Sequence, residues 1–186
     1  MNRRKAREGL EFIRNRFPHR SEIISVFSVA VFVCFSWSLL GFLNKFSSFI
    51  LSFTIAEIAE IFAFMMAFAL LESLAVTGFL ALLSALLPPN WLKDGFALKG
   101  FVSILVFAIT SIALQKFLDN FPSIPILITL VLAPLAAIVL LTYAMRSMPK
   151  FRNVLLNIED RIVIMLFVYV PIGLLSLVIV LYRNLL

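Results

Sequence analysis

Three carboxylates, Glu57, Glu60 and Glu72, share one side of an apolar stretch running from Thr54 to Leu87, TIAEIAEIFAFMMAFALLESLAVTGFLALLSALL. On a helix Glu60 falls about 60° to one side of Glu57 and Glu72 about 60° to the other. Acids along an apolar helix do one of two kinds of work. Deep in hydrocarbon they bind a proton, ion or polar substrate, or bond to a neighbouring helix. At a helix start they satisfy backbone N–H groups that have no partner within the helix. Position separates the three. Glu57 follows Thr54 by three residues, the spacing of a capping box, and Phe53 and Ile58 occupy the positions of a hydrophobic staple. Thr54 and Glu57 are therefore expected to cap the helix, with Glu60 one turn further on and favoured by the helix dipole.

Glu72 is different. It lies about 22 Å before Leu87, between the expected midplane and the outer third of the membrane. A carboxylate there costs several kcal/mol unless it is paired, hydrated or protonated. No apolar run of the chain carries a Lys or Arg at that depth to pair with it. Ser36, Trp37, Thr110, Ser111 and Thr129 are the neutral donors at comparable depth. Beside Glu72 runs a ladder of small residues at four-residue spacing: Ala69, Ser73, Thr77, Ala81 and Ala85. Such ladders let helix backbones approach closely in lipid. Glu72 is expected on the flank of that packing face, turned away from lipid. It is the candidate intramembrane polar site.

Other chemistry lacks its parts. There is no HExxH, no pair of mid-membrane aspartates, no GxSG with a buried His, no phosphate-binding Gly loop and no CxxC. Neither metal site nor cofactor is expected. Cys34 has no partner for an internal disulfide and reads as a packing residue; His19, beside Pro18, has no second ligand to share a metal with. The chain is therefore not expected to be an enzyme.

The elements that position these residues follow from composition. Hydrophobic residues make up 62% of the 186 and charged residues 14%, against roughly 45–50% and 25% for a soluble domain. The charges are confined to a tail and to loops, leaving uncharged runs long enough to cross ~30 Å of hydrocarbon. The fold class is all-α: a polytopic helical membrane protein with five transmembrane helices. The spans fall at about 23–43, 54–87, 98–118, 124–145 and 162–182. The first is too long for a signal-peptide core and is expected to be retained. NKFSSFILSF, residues 44–53, reads as a loop with an interfacial piece. The second helix is overlong, with no Gly or Pro between Thr54 and Thr77 and a stop at Pro88–Pro89. Pro134 and Pro171 fall within the fourth and fifth spans, where each frees a carbonyl one turn earlier, at Leu130 and Phe167. Trp91 anchors the 88–100 loop at the interface.

Charge sets the orientation. Seven Lys/Arg lie in residues 1–20, two in the 88–100 loop and four from Arg146 to Arg161. With the N-terminus inside, five spans put 13 Lys/Arg in the cytoplasm and leave Lys45, Lys116 and Arg183 outside; a six-span reading gives 9 against 7. The positive-inside rule selects five, with the N-terminus in and the C-terminus out.

Two domains follow: a basic amphipathic cytoplasmic tail over 1–20, and a single transmembrane bundle over 21–186. The tail carries Ala6, Leu10, Ile13 and Phe17 on one helical face, and suits a surface of anionic lipid headgroups. The 146–161 segment, with Phe151, Leu155 and Ile158, is expected to lie on the same surface. No nucleic-acid module is present. The expected partners are the bilayer and a membrane protein or a second copy. The expected location is the cytoplasmic (plasma) membrane of a prokaryote. Missing chemistry, short loops, a packing ladder and one half-buried acid describe an accessory or assembly subunit of a membrane complex. The alternative is a small transporter or channel subunit in which Glu72 is the proton, ion or substrate site.

Overall fold

A computed structural model describes residues 17–86, 95–118, 124–147 and 149–185. Among them are five helices and no strand: α1 (Arg20–Ser52), α2 (Ile55–Leu86), α3 (Phe96–Leu118), α4 (Ile124–Ser147) and α5 (Pro149–Leu185). Four of them contain stretches long and apolar enough to cross a membrane: Arg20–Ser52, Ile55–Leu86, Phe96–Gln115 and Arg161–Leu185. The protein is a helical integral membrane protein. The tail over 1–16, and the stretch holding Leu87, Pro88, Pro89 and Trp91, lie outside the described residues.

Two expectations are corrected. Residues 44–53 are not a loop: α1 runs on to Ser52, 33 residues in all, and only Phe53 and Thr54 separate it from α2. The cause is a ladder of rings. Phe42 lies 5.6 Å from Phe46 and 5.8 Å from Phe49, Phe49 lies 6.0 Å from Phe53, and Phe42 meets Phe62 of α2 edge-on at 5.2 Å. These contacts hold the last turns helical despite Asn44, Ser47 and Ser48. The second correction concerns 146–161, set as a loop before the 162–182 span: from Pro149 on it belongs to the same helix as that span. Pro149 occupies the first helical position, where a missing N–H costs nothing, and α5 continues from there for 37 residues. Overlength is therefore shared: α1, α2 and α5 measure about 50, 48 and 55 Å at 1.5 Å per residue.

The helix starts explain their own positions. Thr54 donates from both its N–H and its Oγ1 to Glu57 Oε2, each at 2.8 Å, and its Oγ1 accepts the Glu57 N–H at 3.4 Å. His19 stands in the same place before α1, its N–H donating to Glu22 Oε2 at 3.2 Å. Gly95 starts α3: its φ is 74°, a left-handed conformation natural to glycine, and its carbonyl accepts the Lys99 N–H.

The chain divides into two compact units. One comprises Phe27–Leu80 and Asp160–Leu186. Its core is Val31, Phe35, Met66, Ala69 and Leu70, with Cys34, Phe62, Met65, Tyr169 and Ile172 packed around them. Phe35 stacks on Tyr169 at 5.1 Å. The other unit comprises Met1–Val26 and Ala81–Glu159. In it α3 packs on α4, and Gly100 of α3 admits Val26 of α1 so closely that an added Cβ would meet Val26 Cγ2 at 2.6 Å.

Candidate functional site

The face of α2 turned into the protein is the small-residue ladder. Ala69, Ser73, Thr77 and Ala81 are buried, and Ala85 is half-buried. Small side chains at every fourth position leave room for a neighbouring backbone, which is why this side of α2 packs. The two hydroxyls in the ladder are spent within their own helix. Ser73 Oγ donates to the Leu70 carbonyl and Thr77 Oγ1 to the Ser73 carbonyl, both at 2.8 Å. Thr110 and Ser111, two of the donors considered for Glu72, likewise bond back to the Val106 and Phe107 carbonyls, at 2.7 and 2.9 Å.

Glu72 is exposed on α2. It projects roughly 160° away from Leu70 around the helix, beside Phe68 and Phe79, which are 61% and 59% exposed. The rotation that buries Ser73 thus carries Glu72 outward rather than away from lipid. Met65, two turns earlier and on nearly the same side, faces Gly41 of α1, its Cε 3.7 Å from where a Cβ would stand. Glu72 accordingly sits at the rim of the α1–α2 seam. Among the described residues it makes no ion pair or hydrogen bond.

The other two acids are engaged. Glu57 closes the cap on Thr54, and these hydrogen bonds, helped by the positive charge of Arg183, hold its carboxyl below the usual carboxylate range. Glu60 forms an ion pair with Arg183 of α5. Sequence reasoning did not bring these two together, since 123 residues separate them. The available signal was their shared side: the charge count that leaves Arg183 outside also puts the start of the 54–87 helix there. Beside the pair lies an open groove of about 580 Å³ lined by Glu60, Val178, Ile179, Tyr182 and Arg183. A second groove of about 370 Å³ separates α3 from α4, where Ala113, Ala133, Pro134 and Ala137 leave space.

Among the described residues no cluster of His, Cys, Asp or Glu has the geometry to hold a metal. No protein-family model, curated protein or solved structure matches the chain. Its functional reading rests on these residues alone.

Proposed function

We propose that the protein is an accessory or assembly subunit of a membrane complex, which presents the Glu72 side of α2 to a partner helix. The observation that carries this is the exposed, unpartnered carboxyl of Glu72 between Phe68 and Phe79 on an apolar helix. A carboxyl in that setting is costly until a donor reaches it, and a helix docking on this face supplies both the donor and cover for the rings. Depth supports the reading. If the Glu60–Arg183 pair marks an interface, Glu72 lies about 18 Å further along α2, near the middle of a ~30 Å hydrocarbon core.

Five crossings, with the N-terminus inside the cytoplasmic membrane of a prokaryote, belong to the same proposal. The Lys/Arg division of 13 to 3 supports it. So does parity: pairing Glu60 near the start of α2 with Arg183 near the end of α5 calls for an even number of crossings between them. That number is four if α4, 24 residues long, crosses with α2, α3 and α5.

The test is purification from native membranes in mild detergent, comparing wild type with Glu72→Gln and Glu72→Leu. A defined partner or second copy is expected to co-purify with wild type and Gln, which still bonds, and to be lost with Leu. A stable monomer without a partner, or a partner indifferent to Leu, overturns the reading. The same outward carboxyl supports one competing role, proton or ion coupling in a small transporter. Flux into proteoliposomes that is lost in Glu72→Gln would favour it, because Gln cannot exchange a proton.

A further inference from the structure

We infer that the groove beside the Glu60–Arg183 pair is a binding site for one phospholipid with a zwitterionic headgroup bearing a primary amine. The groove has the layout of such a molecule. One end is polar: Arg183, Glu60 and the tyrosine Tyr182. The wall running away from it along α5 is apolar, with Ile179 and Val178 four and five residues before Arg183. On a helix that places Val178 about 7.5 Å deeper than the guanidinium, the distance over which a lipid passes from headgroup to acyl chain. Both wall residues are exposed, so the groove is open to lipid along its length. Tyr182 is the kind of residue that marks the level of the headgroups.

The ion pair leaves unused valence on both sides. Arg183 directs one terminal nitrogen at Glu60 Oε2, whereas a guanidinium has five N–H donors in a fixed fork that suits phosphate. Glu60 retains its other oxygen as an acceptor. The side chains remain 56% and 32% exposed respectively, so a headgroup reaches both. A phosphate on the free edge of Arg183 and an ammonium on the free oxygen of Glu60 extend the pair into an alternating square of charges. This arrangement discriminates among headgroups. A primary ammonium donates hydrogen bonds to the carboxylate. A quaternary ammonium has none to donate and is recognised by aromatic cages, of which this groove has a single wall. An anionic headgroup without an amine brings its charge against Glu60 unrelieved.

The site is independent of the Glu72 proposal and needs only the membrane embedding of α2 and α5. Native mass spectrometry of the delipidated full chain tests it, after reloading with an equimolar mixture of phosphatidylethanolamine, phosphatidylcholine and phosphatidylglycerol. Ile179→Trp fills the groove and leaves the ion pair intact, so the lipid retained by wild type but not by this variant belongs to the groove. Subtraction also removes anionic lipid held by the basic segment over 1–20. The expected groove-specific lipid is the ethanolamine form, preferred over the choline form by roughly three- to tenfold, the range of one charge-assisted contact at a partly exposed site. Glu60→Gln should abolish that preference while leaving lipid in the groove, and Arg183→Gln should lower retention of all three. Far-UV circular dichroism checks that each variant keeps its helices. The inference fails if wild type and Ile179→Trp retain the same lipids, if the three headgroups are held equally, if the anionic form is preferred, or if the ethanolamine preference survives Glu60→Gln.

Discussion

Gly173 of α5 lies so close to Phe35 of α1 that a Cβ added to it would stand 2.8 Å from Cζ of the ring. The ring has nowhere to go, being fully buried and stacked on Tyr169. The next neighbour, Leu70 Cβ at 3.1 Å, is fixed to the backbone of α2. Three helices thus meet at one glycine. Gly173→Ala should destabilise the protein by about 1–3 kcal/mol, the usual cost of overpacking. Gly41→Ala is the control, because its nearest neighbour is the flexible Met65 Cε at 3.7 Å. Thermal unfolding in detergent should separate the two variants, and equal midpoints would show that the close approach is absent.

The cap on α2 predicts a pH dependence. Thr54 hydrogen bonds lower the affinity of Glu57 for protons, so the folded carboxyl titrates below its unfolded counterpart. The cap then contributes fully at pH values above the ordinary carboxylate range. It begins to weaken as pH falls through that range and is lost once pH passes the depressed value. Protection of the Thr54, Glu57 and Ile58 amides, measured as exchange relative to the intrinsic rate at each pH, should hold near neutral pH and fall only in acid. Thr54→Ala should lower that protection severalfold at neutral pH. Exchange in the variant that matches wild type would remove the cap from the account.

What the sequence made legible is local. The Thr54–Glu57 cap spans three residues, and the Ala69–Ala85 ladder is a four-residue period, so both can be read without knowing the neighbours. The helical state of 44–52 is local only in part: Phe42 meets Phe46 and Phe49 within α1, but its contact with Phe62 comes across the hairpin. The direction of Glu72 is not local. Rotation of α2 about its axis is decided by where Leu70 and Ala69 find Phe35 and Gly173, and Glu72 goes wherever that rotation leaves it. The Glu60–Arg183 pair is the extreme case, joining the start of α2 to the end of α5.

The ladder and its surroundings predict opposite responses to neighbouring substitutions. Among the described residues Ser84 Oγ is buried without a hydrogen-bond partner. Removing a polar atom that makes no bond relieves its desolvation cost, so Ser84→Ala should be neutral or stabilising by up to about 1 kcal/mol. Ser73 is fully buried and its hydroxyl is satisfied. Enlarging it in Ser73→Leu forces the packed helices apart and should cost at least the ~1–3 kcal/mol of overpacking. Unfolding midpoints that shift in the reverse order would contradict this placement of the α2 face.

Topology gives the prediction that bears on the most residues. Ser52, Asn153 and Asn184 are exposed, one at the end of α1, one in the first turns of α5 and one at its last. In a Cys34→Ala background each is replaced in turn by Cys and labelled in intact cells with a reagent that does not cross the membrane. Five crossings put Ser52→Cys and Asn184→Cys on the labelled outer side, and leave Asn153→Cys protected until the membrane is permeabilised. If α4 does not cross, the last two exchange: Asn153→Cys becomes accessible and Asn184→Cys protected. That outcome would also place Glu60 and Arg183 on opposite sides of the membrane, where no ion pair could join them. One labelling experiment therefore tests the crossing count, the ion pair and the depth assigned to Glu72, because all three depend on α2 and α5 running antiparallel through the same bilayer.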